Sequence, residues 1–139
     1  MGTIRLGRVI LGGLLTGLVV NISEFILNMV VLGKDLEAAM RALNRPPIGN
    51  QAIAGFVVLG FVLGIATVWL YAAIRPRFGA GVRTAAIAGV AVWFFAYLYA
   101  AAGMEILELF PRRLMAISMV WGLFEIVIAS VAGAWAYQE

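Results

Sequence analysis

Long apolar stretches alternate with short polar segments along the whole of this 139-residue sequence. A helix needs about 20 residues, at about 1.5 Å each, to cross the hydrocarbon core of a bilayer. Four stretches meet that length, and we predict transmembrane helices near residues 6–32, 51–74, 83–104 and 113–137. Because these spans take up most of the chain, the sequence predicts an all-α integral membrane protein, a four-transmembrane-helix bundle forming a single membrane domain over residues 1–139.

The segment between the first two spans has a different pattern. Apolar residues recur at i, i+3, i+4 and i+7 from Leu36, with charged residues on the opposite side, which is the period of an amphipathic helix. Asp35 can cap its start, and Pro46 prevents its continuation. We therefore predict a short interfacial amphipathic helix at residues 35–44, which lies on the membrane surface as a lid over the bundle or, alternatively, docks a partner.

One stripe of small and polar residues runs along the first predicted span. Gly13, Gly17, Asn21, Glu24 and Asn28 fall at i, i+4, i+8, i+11 and i+15, so they share one face of the helix. Hydrocarbon offers no hydrogen-bond partner to a carboxylic acid or an amide. This face must therefore point into protein or water, which makes Glu24 a candidate for function.

The last span carries a similar stripe around a second acid, because Ser118, Gly122 and Glu125 repeat the spacing found on the first span. If the two helices are antiparallel, Glu24 and Glu125 lie roughly 12 and 18 Å below the same membrane face, at about 1.5 Å per residue. We predict that the two carboxyls meet and form a site with nearby polar groups. The predicted substrate- or proton-binding residues are Glu24, Glu125, Asn21, Asn28 and Ser118.

Small residues also mark the predicted helix-packing faces. They allow close backbone approach in lipid, where hydrophobic burial gives no drive for helix association. We expect the first and last spans to pack through Gly17 and Asn21 against Ser118 and Gly122. The glycines assigned to helix packing are Gly13, Gly17, Gly60, Gly64, Gly89 and Gly122.

Aromatic residues crowd the middle of the third span, between Trp93 and Tyr99. Such residues usually fill a helix bundle or face lipid, but a flat apolar ligand can also stack on them. The candidate contacts for such an apolar ligand are Trp93, Tyr97 and Trp121.

Composition excludes several chemistries. The sequence is 64% hydrophobic and 12% charged, against about 45–50% and about 25% in soluble domains. It has no Cys and no His, so thiolate chemistry, His-ligated metals and Ser-His relays are excluded. We expect neither a metal site nor a cofactor. The net charge of +3 comes from basic residues at span ends and in loops, which favours lipid headgroups over nucleic acid as their partner.

Basic residues bear on orientation. Five Lys or Arg fall on the amino-terminal side and five on the other, so the positive-inside rule gives a tie. The arginine-rich turn at residues 75–83 favours the cytoplasm for the amino-terminal side. We therefore expect a multi-pass protein with both termini in the cytoplasm, and insertion in both senses is the alternative.

The predicted acid pair suggests a function. Burial and like-charge repulsion both disfavour ionisation, so we expect at least one of Glu24 and Glu125 to hold a proton at neutral pH when no ligand is bound. A site that holds one proton can exchange it for a cation. The sequence thus favours proton- or cation-coupled transport or permeation of a small cationic or amphipathic solute, by a homo-oligomer.

Two other functions stay open. The first is a non-catalytic accessory subunit of a larger membrane complex, with glycine faces that dock partner helices and acids that only hydrogen-bond across a helix interface. The second is an intramembrane enzyme, in which a carboxyl pair serves as general acid and base. We favour the enzyme least, because nothing in the sequence marks a nucleophile or a metal cage.

Overall fold

The computed structural model of the protein describes residues 3–137, and its regular structure in that range is entirely helical. The all-helical class is as predicted, and so is the presence of apolar helices typical of a membrane-embedded protein. Residues 1, 2, 138 and 139, which the single-domain prediction includes, lie outside the described range. Within it, four helices are long and apolar enough to cross a membrane: Leu6–Val31, Asn50–Phe78, Val82–Ile106 and Arg112–Ala136.

Two of these spans change their winding partway along. A π-helical segment, Ile26–Val31, extends the first helix, and a second, Trp93–Leu98, interrupts the third span. Segments of this kind are rare, and they occur frequently at functional sites. In chain order the α-helices are α1 (Leu6–Phe25), α2 (Gly33–Ala42), α3 (Asn50–Phe78), α4 (Val82–Val92), α5 (Tyr99–Ile106) and α6 (Arg112–Ala136).

The short helix α2 packs against the start of α6. On its apolar side, Ala39 joins a buried cluster with Leu27 and Leu114. At its amino-terminal end, Asp35 Oδ2 accepts a 2.6 Å hydrogen bond from Arg113 Nη1. Apolar contacts and one charge pair therefore hold α2 at this end of the molecule.

The two described chain ends meet at the opposite end. The Arg5 backbone N–H donates a 3.2 Å hydrogen bond to the Tyr137 hydroxyl. The Tyr137 ring packs edge-on against Tyr71, with ring centroids 6.1 Å apart, and the Tyr71 hydroxyl accepts a hydrogen bond from the Gly81 N–H. The turn between α3 and α4 therefore shares this end with both chain ends, and successive spans run antiparallel.

Helices α1 and α3 approach so closely at several glycines that a larger residue would not fit at those positions. A Cβ on Gly64 would collide with the backbone of Gly13 and Gly17. In the same contact, Gly60 lies against the Asn21 side chain. Four of the glycines assigned to helix packing thus lie between α1 and α3.

Helix α6 packs against α1 and α4 through other small residues. Gly12 lies against the carbonyl of Gly133, and the Thr16 hydroxyl donates a 2.8 Å hydrogen bond to the Ala129 carbonyl. On the other side of α6, Gly89 of α4 lies against the helix backbone. These contacts hold α6 between α1 and α4.

The predicted residues of the contact between α1 and α6 are therefore wrong. We expected Gly17 and Asn21 to face Ser118 and Gly122, but Gly17 and Asn21 face α3, and Gly122 lies against the Tyr97 ring. The physical reason is that α3 carries its own glycines opposite this part of α1. Two facing glycine surfaces allow a closer approach than a glycine surface and a serine.

Candidate functional site

Glu125 of α6 is buried among the helices, with 4% of its surface exposed. The Tyr97 hydroxyl donates a 2.7 Å hydrogen bond to Glu125 Oε2. Glu125 Oε1 is also buried, but within residues 3–137 it has no hydrogen-bond partner of regular geometry. One carboxyl oxygen is therefore held by a hydrogen bond, while the other is buried without one, which makes an ionised carboxylate costly at this place.

Glu24 of α1 lies beside this acid. The carboxyls of Glu24 and Glu125 are close enough to interact directly, and the Ser23 side chain also approaches Glu125. Tyr97 lies near both acids. The fold therefore brings together the two acids that stand out on the polar stripes of α1 and α6.

Asn28 holds the Glu24 side chain in position. Its Nδ2 donates a 3.1 Å hydrogen bond to Glu24 Oε2 and a 3.0 Å hydrogen bond to the Glu24 backbone carbonyl. Asn28 belongs to the π-helical segment Ile26–Val31, and Tyr97 belongs to the other one, Trp93–Leu98. Each π-helical segment therefore supplies one hydrogen-bond donor to the acid pair.

Two predicted members of the site lie apart from the acids. Asn21 points toward α3, where its Nδ2 donates a 3.1 Å hydrogen bond to the Val57 carbonyl. Ser118 is half-buried on α6 and bonds neither acid in the described part of the chain. Ser23 lies beside Glu125 instead. No spacing in the sequence marks Ser23, because it falls off the small-residue stripe of α1.

Each of the three aromatic candidates donates a hydrogen bond to another span. Trp93 Nε1 donates a 2.9 Å hydrogen bond to the Met119 carbonyl of α6. Trp121 Nε1 donates a 2.9 Å hydrogen bond to Ser23 Oγ of α1. Together with the Tyr97 hydroxyl, these groups tie the first and third spans to α6 around the acid pair.

A groove of about 630 Å³ runs along α6 to this pair. Its inner part is lined by Ser23, Trp121 and Glu125, and the rest of its lining is apolar. Because much of that apolar lining is exposed at the protein surface, the groove opens on the outer side of the helices. The apolar lining residues are Ala116, Ile117, Val120, Phe124 and Ile128.

The chemistry of the pair is that of oxygen ligands. The site contains the carboxyls of Glu24 and Glu125, the phenol of Tyr97, the hydroxyl of Ser23 and the amide of Asn28. Among residues 3–137, no group of three or more His, Cys, Asp or Glu side chains is arranged to hold a metal ion. Oxygen ligands suit a proton, a hard cation or an organic ammonium better than a soft transition metal.

Known proteins give no further guide to this site. The chain matches no family model, no curated protein and no solved structure. The geometry of the acid pair and its surroundings is therefore the basis for inferring function.

Proposed function

We propose that this protein transports or conducts a small cationic or amphipathic solute in exchange for protons at the Glu24–Glu125 pair. The observation that carries the proposal is the buried Glu125 Oε1, which lacks a regular hydrogen-bond partner and lies close to a second carboxyl. An ionised carboxylate in such a place is costly unless a proton or a cation joins it. Proton and cation are therefore alternative ligands of one site, and exchange requires this competition.

Asn28 connects the pair to a second cavity. Besides its bond to Glu24, it lines a space of about 430 Å³ between the first span and α2. Lys34 and Glu37 line the same space. This arrangement supports a proton path from the aqueous end near α2 to Glu24, along the cavity that Asn28 lines and with Asn28 holding the Glu24 carboxyl beside it, separate from the groove on α6.

The membrane setting is part of the proposal. The four spans form a bundle in the bilayer, α2 lies at one membrane surface, and both chain ends face the cytoplasm at the other. The bond between Arg5 and Tyr137 and the ion pair between Asp35 and Arg113 support opposite ends for these features. Because one chain supplies the whole pair, each copy in a homo-oligomer has its own site.

A non-catalytic accessory subunit is the second candidate, and uncovered helix surface favours it. Almost all residues from 50 to 59 on α3 are exposed. A Cβ added to Gly55 on this segment would meet no atom within 4 Å, and a Cβ added to Gly103 on α5 would meet none either. The glycines assigned to packing contact the chain's own helices, so a partner helix would dock at these two.

Cation-driven proton movement tests the transport proposal. The purified protein is reconstituted into liposomes that enclose a pH-sensitive dye, and Na⁺, methylammonium or tetraphenylphosphonium is added in separate runs. We expect at least one cation to move protons, and both Glu24→Gln and Glu125→Gln to abolish the movement. Glu108→Gln is the matched control, because Glu108 is an exposed acid in the turn after α5.

Two results would contradict transport. In the first, no cation moves protons beyond the rate in protein-free liposomes. In the second, the two Gln variants retain the full flux. Variants that lose a co-purifying foreign subunit while the unchanged protein shows no flux would favour the accessory subunit.

A further inference from the structure

The groove along α6 combines apolar walls with one acidic end. Val120 and Phe124, in its outer part, have 60% and 64% of their surface exposed, whereas Glu125 is 4% exposed. Exposed apolar side chains in the middle of a span face lipid. The groove therefore gives a ligand dissolved in the bilayer a lateral route to the wall that contains the buried Glu125.

The lining of the groove does not suit a bare inorganic ion. Such ions need several oxygen ligands, about six to eight for Ca²⁺. Besides Glu125, the polar side-chain atoms of the lining are Ser23 Oγ and Trp121 Nε1, which are hydrogen-bonded to each other at 2.9 Å. The Glu125 carboxylate is thus the one group of the lining that can balance a positive charge on a ligand. The rest of the ligand faces apolar walls and must itself be apolar.

An organic cation with a large apolar body meets these requirements. Its charge needs one carboxylate, its apolar body concentrates it in the bilayer, and the groove walls then hold that body by van der Waals contacts. Phe124 and Trp121 add aromatic faces, which attract positive charge. The volume of about 630 Å³ falls within the range of about 300–1,000 Å³ found for small-molecule sites.

We infer that the solute is a lipophilic organic cation, which enters the groove sideways from the bilayer and places its charge at the end of the groove beside Glu125. The inference rests on the proposed function, because it names the substrate class and the entry route of the same site. As the cation arrives from the lipid side, the displaced proton leaves by way of Glu24, which Asn28 holds beside the cavity between the first span and α2.

Tetraphenylphosphonium is the probe, because four phenyl rings surround its permanent charge and it carries no exchangeable proton. Methylammonium is the hydrophilic comparison. Binding to the protein in phosphatidylcholine nanodiscs is measured by calorimetry, with empty nanodiscs subtracted, and proton release is measured in weak buffer. We expect tetraphenylphosphonium to bind at least about tenfold more tightly than methylammonium and to release about one proton per chain.

Paired variants locate the binding surface. Phe124→Ala removes an aromatic wall of the groove, and Phe56→Ala is its control, because Phe56 on α3 is 63% exposed and lies outside the groove. We expect Phe124→Ala to weaken tetraphenylphosphonium binding about 3- to 30-fold, and Phe56→Ala to have no effect. Val120→Trp fills the groove and should also weaken binding, whereas Val62→Trp, at a residue that is 57% exposed elsewhere, should not.

Two results would overturn the inference. One is equal affinity for methylammonium and tetraphenylphosphonium, and the other is equal behaviour of the groove variants and their controls. In either case proton release on cation binding could still occur, and the proposed exchange would stand. Absence of proton release with every cation would overturn the exchange and the inference together.

Discussion

The Tyr97 hydroxyl donates a 2.7 Å hydrogen bond to Glu125 Oε2, although the two residues are 28 positions apart. Through this bond, the π-helical segment of the third span orients an acid on α6. Because Oε2 is taken, Oε1 is the oxygen left for a proton or a cation. Tyr97 is therefore a positioning residue of the proposed site.

Replacing Tyr97 by Phe should weaken cation binding near neutral pH. A hydrogen bond to a charged acceptor contributes about 1.5–3 kcal/mol, and without it the carboxylate form is less stable, so a cation competes less well with a proton. We expect the apparent affinity for tetraphenylphosphonium to fall about tenfold near pH 7 and to recover in alkaline buffer. Tyr99→Phe is the control, because Tyr99 is 74% exposed. A loss of affinity that is the same at every pH would contradict the positioning role.

Replacing Asn28 by Leu should slow proton exchange more than it weakens cation binding. The change removes the amide that holds Glu24 beside the cavity between the first span and α2. It leaves Glu125 and the groove in place. We expect proton uptake after a pH jump, followed by an enclosed dye, to slow about tenfold or more. Asn21→Leu is the control on the same helix, since Asn21 bonds the backbone of α3. Equal slowing in both variants would contradict a specific role of Asn28 in positioning Glu24 for proton exchange.

Simple patterns predicted much of this architecture. Span length and apolar composition are enough to indicate four membrane helices, because hydrocarbon requires about 20 apolar residues for each crossing. The pairing of Glu24 with Glu125 follows from helical periodicity, since each acid falls on a small-and-polar stripe that cannot face lipid. Patterns within a helix therefore marked the two acids that the fold brings together, and their role as a functional site stays a prediction.

The same patterns could not assign neighbours. A small-residue stripe shows that a face is packed, but not which helix packs there, and Gly17 and Asn21 proved to face α3. The hydrogen bond of Tyr97 to Glu125 also could not be predicted from the sequence, because a π-helical segment changes the direction of the side chains around it. No residue type in Trp93–Leu98 marks that change of winding.

Gly64→Ala should destabilise the protein by separating α1 from α3. A new Cβ would collide with the backbone of Gly13 and Gly17, which cannot move aside as a flexible side chain can. We expect a loss of about 1–3 kcal/mol, typical of an overpacked contact, measured by thermal or denaturant unfolding in detergent. Gly55→Ala, on the same helix but with no neighbour within 4 Å, should be neutral or slightly stabilising. Equal destabilisation by the two variants would contradict the close contact.

Asp35→Asn should loosen α2 with little change in overall stability. The ion pair with Arg113 is largely exposed, and exposed pairs contribute at most about 1 kcal/mol. It is nevertheless the charge contact between α2 and α6, so we expect faster hydrogen exchange confined to Gly33–Ala42. Glu37→Gln is the control, because Glu37 pairs with Arg41 inside α2. Unchanged exchange in Asp35→Asn would show that apolar contacts alone hold the helix.

Native mass spectrometry of the protein, extracted from its own membranes in a mild detergent, should separate the two candidate functions. A transporter with a complete acid pair in each chain needs no foreign subunit, so we expect a homo-oligomer or a single chain, with a small organic cation retained at up to one per chain. Glu125→Gln should lose that cation without changing the number of chains, because Glu125 is buried within a single chain and is not on the surface through which copies would meet. A fixed ratio of this chain to foreign subunits, lost when Gly55 or Gly103 is replaced by Leu, would instead place the uncovered faces of α3 and α5 in an interface. The acid pair would then be a packing feature of a non-catalytic subunit.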